Sequence, residues 1–419
     1  MYNTARIHID LYKILHFLFC CYAFSMPFEL LFEVVFDVKT IFKPFRVFSL
    51  LIIGTYGIQV LKNGMELRIS ESSDLFLYIV FIYGLLISFI QIVLNPFSLP
   101  LFYNDLFLVG LNVIVFFVYK AIAIDKNTAL KILRYFAIGI GINVGYIIYN
   151  VFLKIEHGRQ AGFIDNPNYA ALGLVAVMSY LMIRLNFDRK FWIRFSLVGV
   201  LLAMLYVFII TGSRAGLVLF GVSLILLFLF SSLRRKLMLL IIGIVVVFQL
   251  MAIGSKYLYF GGSLVLINRI NNKLDSETED VRFVIWRGIF RTLEDRSYWG
   301  MGIGQFKNNF AKNYSEESNK LILEIVNRGY YLSPHNDYLA ILADYGLPAL
   351  LSYLLFLFFS IRVVWRRLIY PKEDSEDSRF LNQYSFIILL CLAVYGMTAE
   401  SFQHQLYWFL LMFSTKKYI

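Results

Sequence analysis

The sequence predicts an all-α polytopic membrane protein of about twelve transmembrane helices, taking about 20 apolar residues per crossing, with one large external loop containing short amphipathic helices. Three observations predict this class. Hydrophobic residues make up 59% of the 419 and charged residues only 16%, with a mean hydropathy of +0.68, beyond what a soluble core needs. Apolar stretches of spanning length recur along the chain. Lys and Arg concentrate in alternate short loops, the bias that sets orientation in a bilayer.

The apolar stretches begin near Leu11, Arg46, Asp74, Leu106, Ile132, Tyr169, Phe191, Ala215, Lys236, Tyr338, Phe380 and Phe402. Pro27, Glu29 and Glu33 crowd the first, and the last is short. Residues 1–254 thus hold helices one to nine, 255–337 form the external loop, and 338–419 hold helices ten to twelve. A cytoplasmic N-terminus puts Lys62 and Arg68, then Lys120, Lys126, Lys131 and Arg134, on the inside. Arg184, Arg189, Lys190 and Arg194, then Arg234 to Lys236, then Arg362, Arg366, Arg367, Lys372 and Arg379 fall there too, with Lys416 and Lys417. The short outer loops keep little beyond Lys39, Lys43, Lys154, Arg159 and Arg214. Both termini are therefore expected in the cytoplasm and the long loop in the periplasm, or on the outer side of a bacterial-type plasma (inner) membrane.

The net charge of +11 is then a topology signal. A nucleic-acid partner is excluded because the cations are scattered over inner loops. Cys20, Cys21 and Cys391 lie inside apolar spans, so the loop has no disulfide framework and no Cys-based metal site. No metal or cofactor is expected. KEDSEDS from Lys372 reads as a solvated inner loop. The apolar N-terminal run has no small-residue cleavage pattern after it and reads as an uncleaved helix.

With this topology, even-numbered helices start at the outer face. The sixth follows GRQAGFIDNPNYAALGL, where Asn166 and Pro167 are helix-start residues; the eighth opens at TGSRAGL, with Ser213 as cap and Arg214 in the first turn. The tenth opens at SPHNDYLAIL, with Ser333 as cap, Pro334 at the first helical position and His335 behind it. Three positive dipole ends thus share one face. Arg214 opposes the dipole of its own helix, and an anion between the helix starts would resolve that conflict. The diphosphate of a polyprenyl carrier is the natural anion at this depth, and a guanidinium binds its oxygens in bidentate fashion.

In the loop, DVRFVIWRGIFRTL (Asp280 to Leu293) predicts an amphipathic interface helix. Phe283, Trp286, Ile289 and Phe290 lie on one side, with Arg282, Arg287 and Arg291 elsewhere. His335 suits a general base: it would take the proton of an acceptor sugar hydroxyl as that oxygen attacks the anomeric carbon and the lipid diphosphate departs. Blander readings stand beside these. Arg214 can be an interfacial Arg snorkelling to headgroups, His335 a satisfied interfacial histidine, and the loop arginines a solvated face. GMGIGQF (Gly300 to Phe306) lacks the context of a phosphate loop and reads as a tight turn. DSETED (Asp275 to Asp280) reads as a solvated run.

TGSRAGL, then DVRFVIWRGIF with GMGIGQF following, then SPHNDYLAILADYGLPALL resemble, in order and spacing, the O-antigen ligase and O-antigen polymerase superfamily of bacterial membrane glycosyltransferases. The likeness spans about Arg159 to Leu351; Asp344 stands where Glu is more usual, and Ala349 where Gly is frequent. The resemblance implies that Arg214 and Arg282 contact an undecaprenyl diphosphate, with Arg159 as a further basic position. It implies that His335 is the base on the acceptor, and that Ser213, Asn336 and Asp344 support the site. It further implies an inverting transfer without metal or ATP in cell-surface polysaccharide assembly, such as O-antigen, capsule or exopolysaccharide. The implied partners are the undecaprenyl-diphosphate-linked glycan, the bilayer and an acceptor, with a chain-length regulator as a further possibility. If the acceptor is another lipid-linked repeat the enzyme is a polymerase, the branch toward which NPNYAALGL leans; if it is the lipid A core of lipopolysaccharide, a ligase. The rival reading, a lipid-linked oligosaccharide flippase, predicts inverted repeats and charges at mid-bilayer depth; the sequence shows no repeat and its cations cluster at the outer edge.

Overall fold

A computed structural model describes residues 10–36, 43–63, 71–95, 97–153, 159–187, 190–230, 281–295, 298–314, 327, 333–371, 373 and 375–419. The ninth expected span, from Lys236, and the acidic run Asp275 to Asp280 lie outside these residues. Among the described residues every regular element is a helix. In chain order they are α1 (Leu11–Ser25), α2 (Leu31–Phe36), α3 (Pro44–Asn63), α4 (Asp74–Leu94), α5 (Leu99–Ala121), α6 (Lys126–Phe152), α7 (Pro167–Phe187) and α8 (Phe191–Ile210). They continue as α9 (Arg214–Leu229), α10 (Val281–Asp295), α11 (Gln305–Tyr314), α12 (Asp337–Tyr345), α13 (Leu347–Ile369), α14 (Glu376–Tyr395) and α15 (Gln405–Thr415).

Eight of these are long and apolar enough to cross a membrane: α3 to α8, α13 and α14. α1 and α9 are apolar but shorter. The expectation of about twelve full spans is therefore met by fewer full-length helices among the described residues, joined by shorter ones that end inside the protein. α15 is the clearest case. Its 11 residues rise only about 16 Å, roughly half a bilayer core, and every one of them is buried. Trp408, Tyr407 and Phe409 pack it against α5, α13 and α14, and the Trp408 indole donates to the Phe402 carbonyl at 2.6 Å. Such a short helix in a membrane protein is tolerated where protein surrounds it and its end lines a cavity.

The tenth expected helix is broken in two. Gly346 has φ 88°, its N–H closes α12 on the Ile341 and Leu342 carbonyls, and Leu347 N–H donates to the Tyr298 carbonyl at 2.9 Å. Pro348 then sits in the first turn of α13. A Cβ on Gly300 would come within 2.6 Å of the Gly346 nitrogen, so the loop backbone touches the break.

α10 to α12 form a small external layer. Val284, Ile285, Ile289 and Leu293 of α10 pack on Met301, Phe306, Phe310, Leu342 and Ala343. Of the side expected to be apolar, Ile289 and Trp286 pack into this layer, while Phe283 and Phe290 are exposed at 56% and 46%.

At the far end of the bundle charges are consumed internally. Lys120 pairs with Asp74 at 3.1 Å and donates to the Thr415 carbonyl. Lys416 caps the Lys120 and Ile122 carbonyls at 2.6 and 2.7 Å. Arg367 pairs with Glu71, and Lys126 with Glu373. These groups gather where the alternating Lys and Arg pattern predicts one common face.

Candidate active site

At the opposite end lies a polar cleft of about 490 Å³, within the size range of small-molecule sites. Its lining comes from distant parts of the chain: Glu29 after α1, Lys43 and Arg46 at α3, and Asp165 to Tyr169 around the start of α7. Leu108 of α5, Lys307 of α11, Ser333 and His335 before α12, and Ala399, Glu400, Gln403, His404 and Gln405 around the start of α15 complete it.

The helix starts are built by local caps. Asn166 accepts from the Asn168 N–H at 2.8 Å with Pro167 opening α7, and Ser213 accepts from the Gly216 N–H at 3.0 Å to open α9. Asn168 Oδ1 accepts from Ser213 Oγ and from the Arg159 guanidinium, both at 2.9 Å, and Arg159 Nε donates to the Thr211 carbonyl at 2.9 Å. Arg159 and Asn168 thereby clamp the two starts together. The third start differs from expectation. α12 begins at Asp337, and its cap is Asn336, which accepts from the Leu339 N–H at 3.1 Å. Ser333 instead accepts from the His335 N–H at 3.2 Å and bonds the Glu400 carboxylate. Asp337 is buried and takes the Ser401 and Phe402 N–H groups at 2.5 and 2.8 Å; α12 therefore starts against the loop ahead of α15, and Pro334 and His335 are left outside the helix. Burial pushes the Asp337 carboxyl up to about 7, against the pull of its hydrogen bonds.

His335 lies in the cleft lining with φ 50°, a conformation that costs a non-glycine residue energy and is held by its surroundings. Its imidazole makes no hydrogen bond to another described residue. Burial, and then the positive charge of Arg282, hold its pKa below the ordinary histidine value. Trp286 fixes this pair of elements, its indole donating to the Pro334 carbonyl at 2.8 Å, which ties α10 and hence Arg282 to the His335 segment. Arg214 is half-buried at the start of α9. It makes no hydrogen bond or ion pair to another described residue, and it is not among the residues lining the cleft. Arg159 is likewise set back from the cleft, reaching it through Asn168.

Asp344 fastens the glycine turn to α12. Its carboxylate accepts from Gly304 and Phe306 N–H at 3.1 and 2.7 Å, and its carbonyl accepts from Gly302 at 2.8 Å. Gly300, Gly302 and Gly304 all have positive φ, so GMGIGQF is a tight turn, fastened to α12. Burial raises Asp344 to about 7. From the same turn α11 sends Lys307 to Asp105 at 2.9 Å.

Sequence reasoning missed much of the lining. Glu29 bonds Lys43 at 2.5 Å and His404 at 3.3 Å, and His404 stacks on Tyr169 with ring centroids 3.6 Å apart. Burial pushes Glu29 up, but His404 and Lys43 outweigh it and leave it below the usual carboxylate range. Both His404 nitrogens are engaged, the second by the Leu406 N–H at 3.3 Å, so this histidine is structural where His335 is available. Glu400 is raised by burial, opposed by Ser333 and Lys307. The polar run AESFQHQ between two apolar helices was the available signal, since polar residues at membrane depth are costly and kept for function.

Fold and cleft together define a multi-helix membrane protein with a polar, histidine-bearing site where several helix starts converge. Residues 199–354 match the family model described as O-antigen ligase, so this segment of the chain is similar to that family. The matched segment contains Ser213, Arg214, Arg282, His335, Asn336 and Asp344. No curated protein matches the chain.

Proposed function

We propose that the protein transfers an undecaprenyl-diphosphate-linked glycan onto a sugar hydroxyl in cell-surface polysaccharide assembly, with the cleft open to the outer side of a bacterial plasma membrane. The observation that carries this reading is the His335 imidazole, held without a hydrogen-bond partner among the described residues in a polar cleft beside Arg282. Its lowered pKa keeps it neutral near pH 7, the form that can accept a proton.

In the reaction, the acceptor O–H gives its proton to His335 while its oxygen forms a bond to the anomeric carbon. The bond from that carbon to the diphosphate oxygen breaks, and undecaprenyl diphosphate leaves with the electron pair. Attack opposite the leaving group inverts the anomeric centre. Arg282 and Arg214 neutralise the departing diphosphate in bidentate fashion. Arg159, committed to Thr211 and Asn168, adds charge from behind and holds the α7 and α9 starts, whose dipoles favour the same anion. Ser213 and Asn336 fix two of the helix starts, and Asp344 holds the turn that carries α11.

The test is purified protein in proteoliposomes with undecaprenyl-diphosphate-linked repeat units from the source bacterium. We expect one undecaprenyl diphosphate released per new glycosidic bond, without nucleoside triphosphate, and an inverted anomeric configuration by NMR. Movement of the intact lipid-linked unit across the bilayer without release would favour a flippase, and retained configuration would remove the single-displacement route.

A further inference from the structure

The start of α15 carries an unexplained polar group. Gln405 is 5% exposed and lines the cleft, and its Nε2 is buried with no hydrogen-bond partner among the described residues. A buried amide donor left without an acceptor is destabilising unless something else supplies one. Glu400 lines the same cleft, and Ser333 engages one of its two oxygens. A carboxamide donor and a carboxylate acceptor in one small cleft are the complement of a sugar ring, whose hydroxyls both donate and accept. Phosphate chemistry suits this wall poorly. Lys43 is neutralised by Glu29 at 2.5 Å and Lys307 by Asp105 at 2.9 Å, so two of the three Lys and Arg side chains lining the cleft already have carboxylate partners, Arg46 being the third.

We propose that the floor of the cleft at the α15 start is the acceptor subsite, taking a neutral, hydroxyl-rich sugar held by Gln405 as donor and Glu400 as acceptor. The proposal rests on the transferase reading above and adds to it where the acceptor sits and what chemistry it has. Gln405 and Glu400 lie outside the matched residues 199–354, whereas Arg214, Arg282 and His335 lie inside them. The two substrates are thus held by different parts of the chain, with His335 in the lining of the acceptor cleft.

The experiment titrates full-length protein in detergent micelles with a panel of neutral methyl hexosides and methyl N-acetylhexosaminides, with methyl glucuronide, and with inorganic pyrophosphate, by saturation-transfer NMR and thermal shift. We expect at least one neutral glycoside to bind and Gln405→Met to weaken it about tenfold while leaving pyrophosphate binding unchanged. The same variant should raise the Tm of the unliganded protein, because it removes the uncompensated amide; a merely structural glutamine would give a lower Tm. Arg282→Ala should do the converse, weakening pyrophosphate and sparing the glycoside. The proposal is overturned if no neutral glycoside binds, if only the glucuronide does, or if Gln405→Met leaves glycoside affinity intact or lowers Tm. Failure of pyrophosphate to bind, or its indifference to Arg282→Ala, would instead count against the transferase reading while the glycoside arm still reports on Gln405.

Discussion

The two ends of the helix bundle both pair charges internally but differ in the polar groups they leave without a partner. At the end formed by the α5 C-terminus and the chain terminus, Lys120, Lys416, Arg367 and Lys126 each meet a carboxylate or backbone carbonyl. At the cleft end Lys43 and Lys307 are also paired, but the His335 imidazole, the Arg214 guanidinium and the Gln405 amide nitrogen have no hydrogen-bond partner among the described residues. Groups satisfied inside the protein contribute to folding, whereas groups left unsatisfied at a cost are held for something that binds. The difference marks the cleft as the place where a bound molecule can supply the missing partners.

Removing the base breaks the comparison most sharply. His335→Ala should abolish detectable glycan transfer, a loss of about 10²–10⁴-fold for general base catalysis, with Tm and membrane insertion unchanged; normal product chains on a gel would end the assignment. At the far end the expectation reverses. Lys120→Met removes the cation paired with the buried Asp74 carboxylate, which costs about 3–5 kcal/mol and should appear as a lower Tm with unchanged activity per folded molecule. Lys120→Met combined with Asp74→Leu should recover most of that loss, as expected for a buried pair replaced by apolar side chains.

Smaller effects sharpen the picture. Arg214→Lys keeps the charge but not the bidentate fork, and should lower kcat/KM for the lipid-linked donor about tenfold; full activity would favour a snorkelling role. The pH profile has a definite sign. His335 must be neutral to act, so kcat/KM should fall as pH drops through its pKa, which burial and Arg282 hold below the ordinary histidine value. Arg282→Gln removes the cationic contribution, so the acid limb should move to higher pH, measured as kcat/KM against pH with saturating acceptor.

Two of the helix starts near the cleft were legible because their signals are local. Ser213 and Arg214 open a helix where a cap residue precedes an apolar run, and Asn166–Pro167 does the same. The start of α12 was misplaced because Ser333, a good cap by type, is drawn instead to Glu400, far along the chain. How the apolar side of α10 divides into a packed and an exposed part was not legible either. Periodicity defines an apolar stripe, but Met301, Phe306 and Leu342 decide which part of it is covered.

By itself the sequence determined the helical class, most span positions, two of the helix caps and the gathering of Lys120, Lys126, Arg367 and Lys416 at one end of the bundle, because hydropathy, capping and charge bias act over neighbouring residues. Tertiary structure alone decided that Glu29 meets His404 across 375 residues, that α15 is a buried half-length helix, and that Gln405 and Glu400 share a cleft with His335. Those relations depend on which helix ends pack together, and packing is settled by the summed contacts of surfaces brought together from distant parts of the chain.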